Sequence, residues 1–184
     1  MNRREALRQL GQAAGALAIW RSLPVASWAA LGGSAGWSSR EVDLLTIVGD
    51  TIIPSTADSA GAGAIHIGRF VVMMLEECHP PAAAEQVRAF LDRLDSRDGN
   101  GHEPPFVQRS PADQEKLLNE LEARIIDAGS AEPWADGWRL VKRLTLLGYF
   151  TSEPGATQAL HYDPVPGSYR GSVPAGPTTK AWAI

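Results

Sequence analysis

Cysteine is almost absent from this sequence: Cys78 is the only one in 184 residues. A single thiol cannot form an internal disulfide framework, a CxxCH haem attachment or an all-cysteine iron–sulfur cluster within the chain. Isolated cysteines are usually buried, and Cys78 stands at an apparent helix end before His79-Pro80-Pro81. We therefore expect Cys78 to be a buried structural thiol, with an exposed reactive thiol as the alternative.

The common catalytic and metal-binding motifs are also missing. Residues 61–68 do not complete G-x-G-x-x-G, because His66 stands where the last glycine is required. Residues 32–36 match the nucleophile motif G-x-S-x-G, but that motif requires a preceding strand and none is predicted here. The histidines form no H-x-x-x-H or H-E-x-x-H pair; they stand at positions 66, 79, 102 and 161. We therefore predict no catalytic residue, no metal site and no bound cofactor in this chain.

The charge of the chain argues against nucleic acid as a partner. It has 17 basic and 21 acidic residues, a formal net charge of −4 at pH 7. Non-specific binding to nucleic acid usually needs a basic surface. The length and the hydrophobic fraction of 44% suit one soluble globular domain with its own core.

Residues 1–30 are typical of an export signal. Arg3 and Arg4 precede the short apolar run Leu10–Trp20, and small residues follow at Ser27–Ala29. Paired arginines favour the twin-arginine route, and the apolar run is too short to span a bilayer. A basic amphipathic helix packed on the domain is the alternative. We expect a periplasmic protein, with the signal either cleaved or kept as an anchor at the inner membrane.

The rest of the chain predicts an all-α bundle of about five helices with a long irregular arm rich in proline and tyrosine. Ser38 and Glu41 form a capping box, and Ser110-Pro111 is a second strong helix start. No run of alternating strand residues is found. We expect a linker at 31–37, the bundle at 38–148 and a docking arm at 149–184. The apolar residues predicted to face the core late in the fourth and fifth helices are Ile125, Ile126, Leu144 and Leu147.

The arm is chemically dense at its start. Residues 148–171, GYFTSEPGATQALHYDPVPGSYRG, hold three tyrosines, three prolines and a histidine. His161-Tyr162-Asp163 is the most catalytic-looking cluster of the chain. Neighbours in an extended segment point to opposite sides, however, and so do not converge on one reaction centre. Contacts with another protein are the more common use of such aromatic segments.

Two segments resemble the gluconate 2-dehydrogenase subunit 3 family. They are DTIIPSTADSAGAGA after the first helix and LLGYFTSEPGATQALHYDPVPGSYRG near the end, and the resemblance runs from about Ser38 to Pro174. It implies a helical, non-catalytic small subunit that carries the twin-arginine signal for a large FAD-dependent, GMC-type dehydrogenase. Such complexes act on sugars, sugar acids or glycosides. FAD is then expected in the partner, and a c-type cytochrome is a further partner through the complex.

The resemblance gives the arm a purpose as the surface that docks the large subunit. Ser172 stands where several relatives have a cysteine, so we expect non-covalent association. The alternative is a free-standing periplasmic sugar-binding protein or an enzyme that uses the His161-Tyr162-Asp163 region. The residues predicted to bind the partner are Tyr149, Phe150, His161, Tyr162, Pro164, Pro166, Gly167, Tyr169 and Arg170.

Overall fold

The fold is helical, as a computed structural model of the chain shows. It describes residues 36–95, 104–128, 133–165, 167–168, 172, 174–176 and 179–183. These residues contain no β-strand, which confirms the predicted all-α class. No helix among them is long and apolar enough to cross a membrane. The α-helices are α1 Ser39–Ile52, α2 Ile67–Glu77, α3 Pro81–Asp95, α4 Pro111–Ala128 and α5 Pro133–Phe150.

Three short helical segments supplement these α-helices. Ala62–Ile65 and Phe106–Gln108 are 3-10 helices, and Gly155–Ala159 is a single π-helical turn. Ala62–Ile65 leads directly into α2, and the π-helical turn follows α5 at the start of the predicted arm. The sequence patterns did not predict these segments, because none of them is long enough to show helical periodicity.

Helix α5 lies at the centre of the bundle. It packs most extensively on α3 and also contacts α1 and α2. The Phe90 and Trp138 rings meet between α3 and α5, with centroids 5.4 Å apart. Gly148 lies where α2 contacts α5: a Cβ at this position would stand 2.5 Å from the Phe70 ring and 2.7 Å from Ile67 Cδ1. The bundle therefore depends on close helix–helix contact along the whole of α5.

The capping box predicted for α1 is formed, and it is joined to α3 by an arginine. The Ser38 backbone N–H donates to Glu41 Oε2 at 2.7 Å, and the Glu41 N–H donates to the Ser38 hydroxyl at 3.3 Å. Arg88 Nε donates to Glu41 Oε1 at 3.2 Å, while its guanidinium lies 4.4 Å from the centroid of the Trp37 ring. Arg88 also bonds the Gly36 carbonyl. The first described residues are thus held against α3.

Glu41 should make the stability of the fold depend on pH. Burial raises the pKa of its carboxyl, but hydrogen bonds from the Ser38 hydroxyl, the Ser38 N–H and Arg88 outweigh burial, so the pKa is lowered. The folded-state pKa then lies below the unfolded one, and charged Glu41 stabilises the fold above about pH 4.3, the usual glutamate pKa. This stabilisation is lost as the pH falls through the lower, folded-state value.

We expect Glu41→Gln to destabilise the protein at neutral pH and to have a shrinking effect in acid. Urea unfolding of both chains should give a difference in unfolding free energy that is largest above about pH 5 and smaller near about pH 3. Comparing the two chains at each pH cancels the titration of the other carboxylates. A difference that stays constant across this range would contradict the assigned role of the charge.

Three residues predicted to be buried are exposed instead. Ile126 is 73% exposed and Leu147 is also on the surface. The reason at Leu147 is that Leu144, Thr145 and Gly148 fill the interface of α5, which turns Leu147 outward. Cys78 is a free, exposed cysteine, because α2 ends at Glu77 and Cys78 is its C-cap, where the chain leaves the bundle.

Candidate functional site

The loop between α1 and α2 is held closed by two polar side chains, one from α1 and one from the loop itself. Asp50 Oδ1 accepts the N–H of Gly63 at 2.9 Å, and the Ser55 hydroxyl accepts the N–H of Gly61 at 2.9 Å. A Cβ at Gly61 would lie 2.6 Å from both Asp50 Oδ1 and the Ser55 N. The glycines of the first resembling segment therefore serve close packing of this loop.

Ala60 joins this loop to the second resembling segment. Its carbonyl accepts a 2.6 Å hydrogen bond from the Tyr149 hydroxyl, and its N–H donates at 2.9 Å to Gln158 Oε1. The two partners lie 89 and 98 positions away in sequence. Both backbone groups of one residue are thus satisfied by side chains from the end of α5 and from the π-helical turn. The two segments form one site, which we call the Ala60 junction.

The π-helical turn sets the direction in which the chain leaves α5. The Ser152 hydroxyl donates to the Tyr149 carbonyl at 2.6 Å and accepts the N–H of Gly155 at 3.2 Å. The Leu160 N–H donates to the Gly155 carbonyl at 3.0 Å and closes the turn. Gln158 is placed on Ala60 by this turn.

The arm returns to its own start. The His161 N–H donates to the Ala181 carbonyl at 2.7 Å, and the Ala183 N–H donates to the His161 carbonyl at 2.9 Å. The Trp182 ring meets the His161 ring edge to face, with centroids 4.2 Å apart. Lys180 Nζ bonds the Gln158 carbonyl. We call this pairing of His161 with residues 180–183 the clasp.

The predicted docking residues fall into three groups. Tyr149 is a core residue: it lies in the last turn of α5, is 1% exposed and is committed to Ala60, so we leave it out of the docking surface. Phe150 is exposed next to it, with the two rings 5.2 Å apart. The other described residues of the prediction are all exposed; they are His161, Tyr162, Pro164 and Gly167. Pro166, Tyr169, Arg170, Arg3 and Arg4 lie outside the described residues.

Sequence reasoning missed four residues of this region. Trp182 is 53% exposed and holds the clasp, while Val165 is 80% exposed on the arm. Leu146 is exposed one helical turn before Phe150. Gln158 is the link between the arm and the α1–α2 loop. Of these, only the apolar character of Trp182 and Val165 in a polar tail was a signal available in the sequence.

The geometry at His161-Tyr162-Asp163 is that of a structured loop. The His161 ring packs against Trp182, and Asp163 Oδ1 accepts the N–H of Val165 at 3.0 Å, which is a local turn. All three side chains are exposed, whereas reactive groups are usually held in a concave, water-poor site. Within the described part of the chain, no three histidine, cysteine, aspartate or glutamate residues are grouped to hold a metal ion. The arrangement of these three side chains therefore favours contact with another protein over catalysis.

Comparison with known proteins gives one finding. The family model described as gluconate 2-dehydrogenase subunit 3 matches residues 39–167. No curated protein and no solved structure matches the chain. The matched range contains both segments of the Ala60 junction and ends before the clasp is completed at residues 180–183. This chain belongs to the gluconate 2-dehydrogenase subunit 3 family.

Proposed function

We propose that this chain is the non-catalytic small subunit of a periplasmic FAD-dependent dehydrogenase that oxidises a sugar, a sugar acid or a glycoside. It binds a large, GMC-type flavoprotein subunit, stabilises it and accompanies it through the twin-arginine pathway. FAD belongs to the large subunit in this proposal, and a c-type cytochrome takes electrons from the complex. The family membership supports the accessory role, since the family is named for a subunit of a dehydrogenase.

The observation that carries the proposal is the group of exposed apolar side chains around the end of α5 and the arm. Leu146, Leu147 and Phe150 lie within one turn of α5, and all three are exposed. Tyr162 is 55% exposed, and Val165 is more exposed still. Aromatic rings of this kind are typical anchors of protein interfaces, because they bury a large area with few torsions to freeze.

The backbone that carries these side chains is held in place by hydrogen bonds, which suits a docking surface better than a loose tail would. Phe150 follows Tyr149, which is fixed to Ala60, and the arm begins at the closed π-helical turn. A surface that is already ordered loses less conformational entropy on binding. Monomeric soluble proteins also tend to avoid large contiguous apolar patches, so such side chains gain from a partner. Docking through Phe150, Tyr162 and Val165 is the function that this geometry supports best.

The export part of the proposal is tested with Arg3 and Arg4. The native pair of subunits is expressed with an affinity tag on the C-terminus of the large subunit, and periplasm and cytoplasm are separated. If the large subunit has no signal of its own, changing Arg3 and Arg4 to lysine should leave both subunits in the cytoplasm as a complex. The physical reason is that one signal then serves a folded cargo of two chains.

A matched control uses other arginines of the same segment. Changing Arg8 and Arg21 to lysine keeps the same charge and leaves the Arg3-Arg4 pair intact. We expect this control to export both subunits. Dehydrogenase activity that persists in the periplasm after the Arg3→Lys, Arg4→Lys change would remove the escort role. Failure of the tagged large subunit to co-purify this chain from either compartment would remove the accessory role itself.

A further inference from the structure

The described residues at the two ends of the arm, His161 and residues 180–183, meet at the clasp and so close the segment between them into a loop. His161 and residues 180–183 are joined by two backbone hydrogen bonds, the edge-to-face contact of Trp182 and the bond from Lys180. Inside the loop, Asp163 accepts the Val165 N–H near one end. Near the other end, the Gly176 N–H donates to the Thr179 hydroxyl at 2.8 Å. Both ends of the loop thus continue into formed turns.

Closure of the loop changes the cost of binding. Bringing together the ends of a flexible segment has an entropy cost that must be met before or during association. The clasp meets it within this chain, so the free arm is already restricted before it encounters a partner. Restriction of a binding segment in its bound form is a general way to raise affinity.

Trp182 contributes both to the clasp and to the exposed surface of the arm. Its ring holds His161 and yet remains 53% exposed. Tyr162 and Val165 on the other limb of the loop are exposed as well. A Trp and a Tyr flanking the same closure present two large apolar faces, each with one hydrogen-bond donor at its edge. The surface complementary to them is an apolar pocket of a folded protein with acceptor groups on its rim.

We propose that the clasp and its flanking turns, described at residues 161–165, 174–176 and 179–183, dock on the large subunit as one unit, which we call the docking loop, with Trp182 as a contact residue and His161 as the positioning residue that holds Trp182. This inference rests on the proposed function, because the large subunit is the occupant. A lipid surface is the less favoured occupant, since the chain is acidic overall and anionic headgroups would repel it. Residues 180–183 of the clasp lie past residue 167, where the family match ends, so closure by these residues is a feature of this chain beyond that match.

The first measurement examines the clasp in the full chain without a partner. Amide hydrogen exchange followed by NMR reports the His161 and Ala183 N–H groups, which both donate within the clasp. In the wild type both should exchange slowly, and in Trp182→Ala at least about tenfold faster. Trp182→Phe should keep most of the protection, because an aromatic edge or face can still meet His161. Unprotected His161 and Ala183 amides in the wild type would overturn the inference.

The second measurement is the affinity of the full chain for the isolated large subunit. Trp182→Ala should weaken binding by roughly tenfold or more, because it removes a contact and opens the loop. His161→Ala should weaken it less, and Trp182→Phe least. Val107→Ala, an exposed apolar residue of the Phe106–Gln108 turn, is the matched control and should bind as the wild type does.

The outcomes separate the two proposals. A wild-type chain that binds no large subunit overturns the proposed function and this inference with it. A wild-type chain that binds, together with a Trp182→Ala variant that binds equally well, overturns the inference alone. A wild-type chain that binds vesicles of phosphatidylglycerol and phosphatidylethanolamine, with loss of that binding in Trp182→Ala and unchanged capture of the large subunit, also overturns it in favour of a lipid surface.

Discussion

Gly137→Ala is expected to destabilise the bundle by about 2–3 kcal/mol, a drop in Tm of roughly 5–10 °C. Gly137 lies in the first turns of α5, and a Cβ there would stand 2.1 Å from the Gln86 carbonyl oxygen and 3.1 Å from Phe90 Cβ. The first of these atoms belongs to the backbone of α3, so no rotamer change can relieve the contact. The α3–α5 interface, the most extensive in the fold, must therefore open.

Helix propensity alone predicts the opposite effect, so the direction of the measured change in stability distinguishes packing from propensity. In an exposed helix the same change would stabilise by about 1 kcal/mol. Thermal unfolding followed by circular dichroism measures the net result, with Gly167→Ala as the control, since a Cβ at Gly167 meets no atom within 4 Å. If Gly137→Ala unfolds within about 2 °C of the wild type, the helices do not pack as closely as the structure places them.

The helices could be predicted because their signals are local. Ser38 and Glu41 lie three residues apart, and so do Ser110 and Asp113; both caps are formed as the sequence indicated. Ile125 and Leu144, which periodicity assigns to the core, are buried. Such features can be predicted from the sequence, because a helix cap and a buried apolar stripe both depend on residues within one or two helical turns of each other.

The Ala60 junction and the clasp could not be predicted, because their partners are distant in sequence. Nothing near Tyr149 shows that its hydroxyl bonds a carbonyl 89 positions earlier. The sequence therefore predicted Tyr149 as an interface anchor, although its side chain is buried in the core. The backbone bridge between His161 and Trp182 also joins distant positions, and no periodic pattern in the sequence predicts it. Ile126 and Leu147 failed because a periodic stripe does not show where the buried face of a helix ends around its circumference: Ile125 and Leu144 are buried, whereas Ile126 and Leu147 lie outside that face.

The boundary between bundle and arm is a physical one, and it lies at the π-helical turn. Up to Phe150 the chain is part of α5 and packs on other helices. After Leu160 its bonds are mainly with its own C-terminal residues, through the clasp. The turn between them is therefore the only covalent route from the Ala60 junction to the docking loop, and its geometry decides where that loop is presented.

Gly155→Ala is expected to weaken capture of the large subunit by roughly tenfold or more in affinity, while the five α-helices remain folded. A Cβ at Gly155 would lie 1.9 Å from the Tyr149 carbonyl oxygen and 3.1 Å from Phe150 Cα. Both are backbone atoms, so the π-helical turn cannot close around a side chain. Gln158 then leaves Ala60, and the docking loop departs from α5 in another direction.

Hydrogen exchange carries an internal control for this prediction. The N–H groups of Ala60 and Leu160 depend on the turn and should exchange faster in Gly155→Ala. The N–H of Ala62 donates to the Ile53 carbonyl at 2.9 Å, independently of the turn, and should stay protected.

Thr157→Ala is the matched variant within the same turn: it removes an exposed hydroxyl, which donates to the Glu153 carbonyl at 2.7 Å, and leaves the backbone path open. It should retain both the exchange pattern and the partner. A Gly155→Ala chain that loosens Ala60 and Leu160 yet still captures the large subunit would show that docking does not depend on where the arm leaves α5. The interface would then have to lie on Leu146, Leu147 and Phe150, whose positions are set by α5 itself.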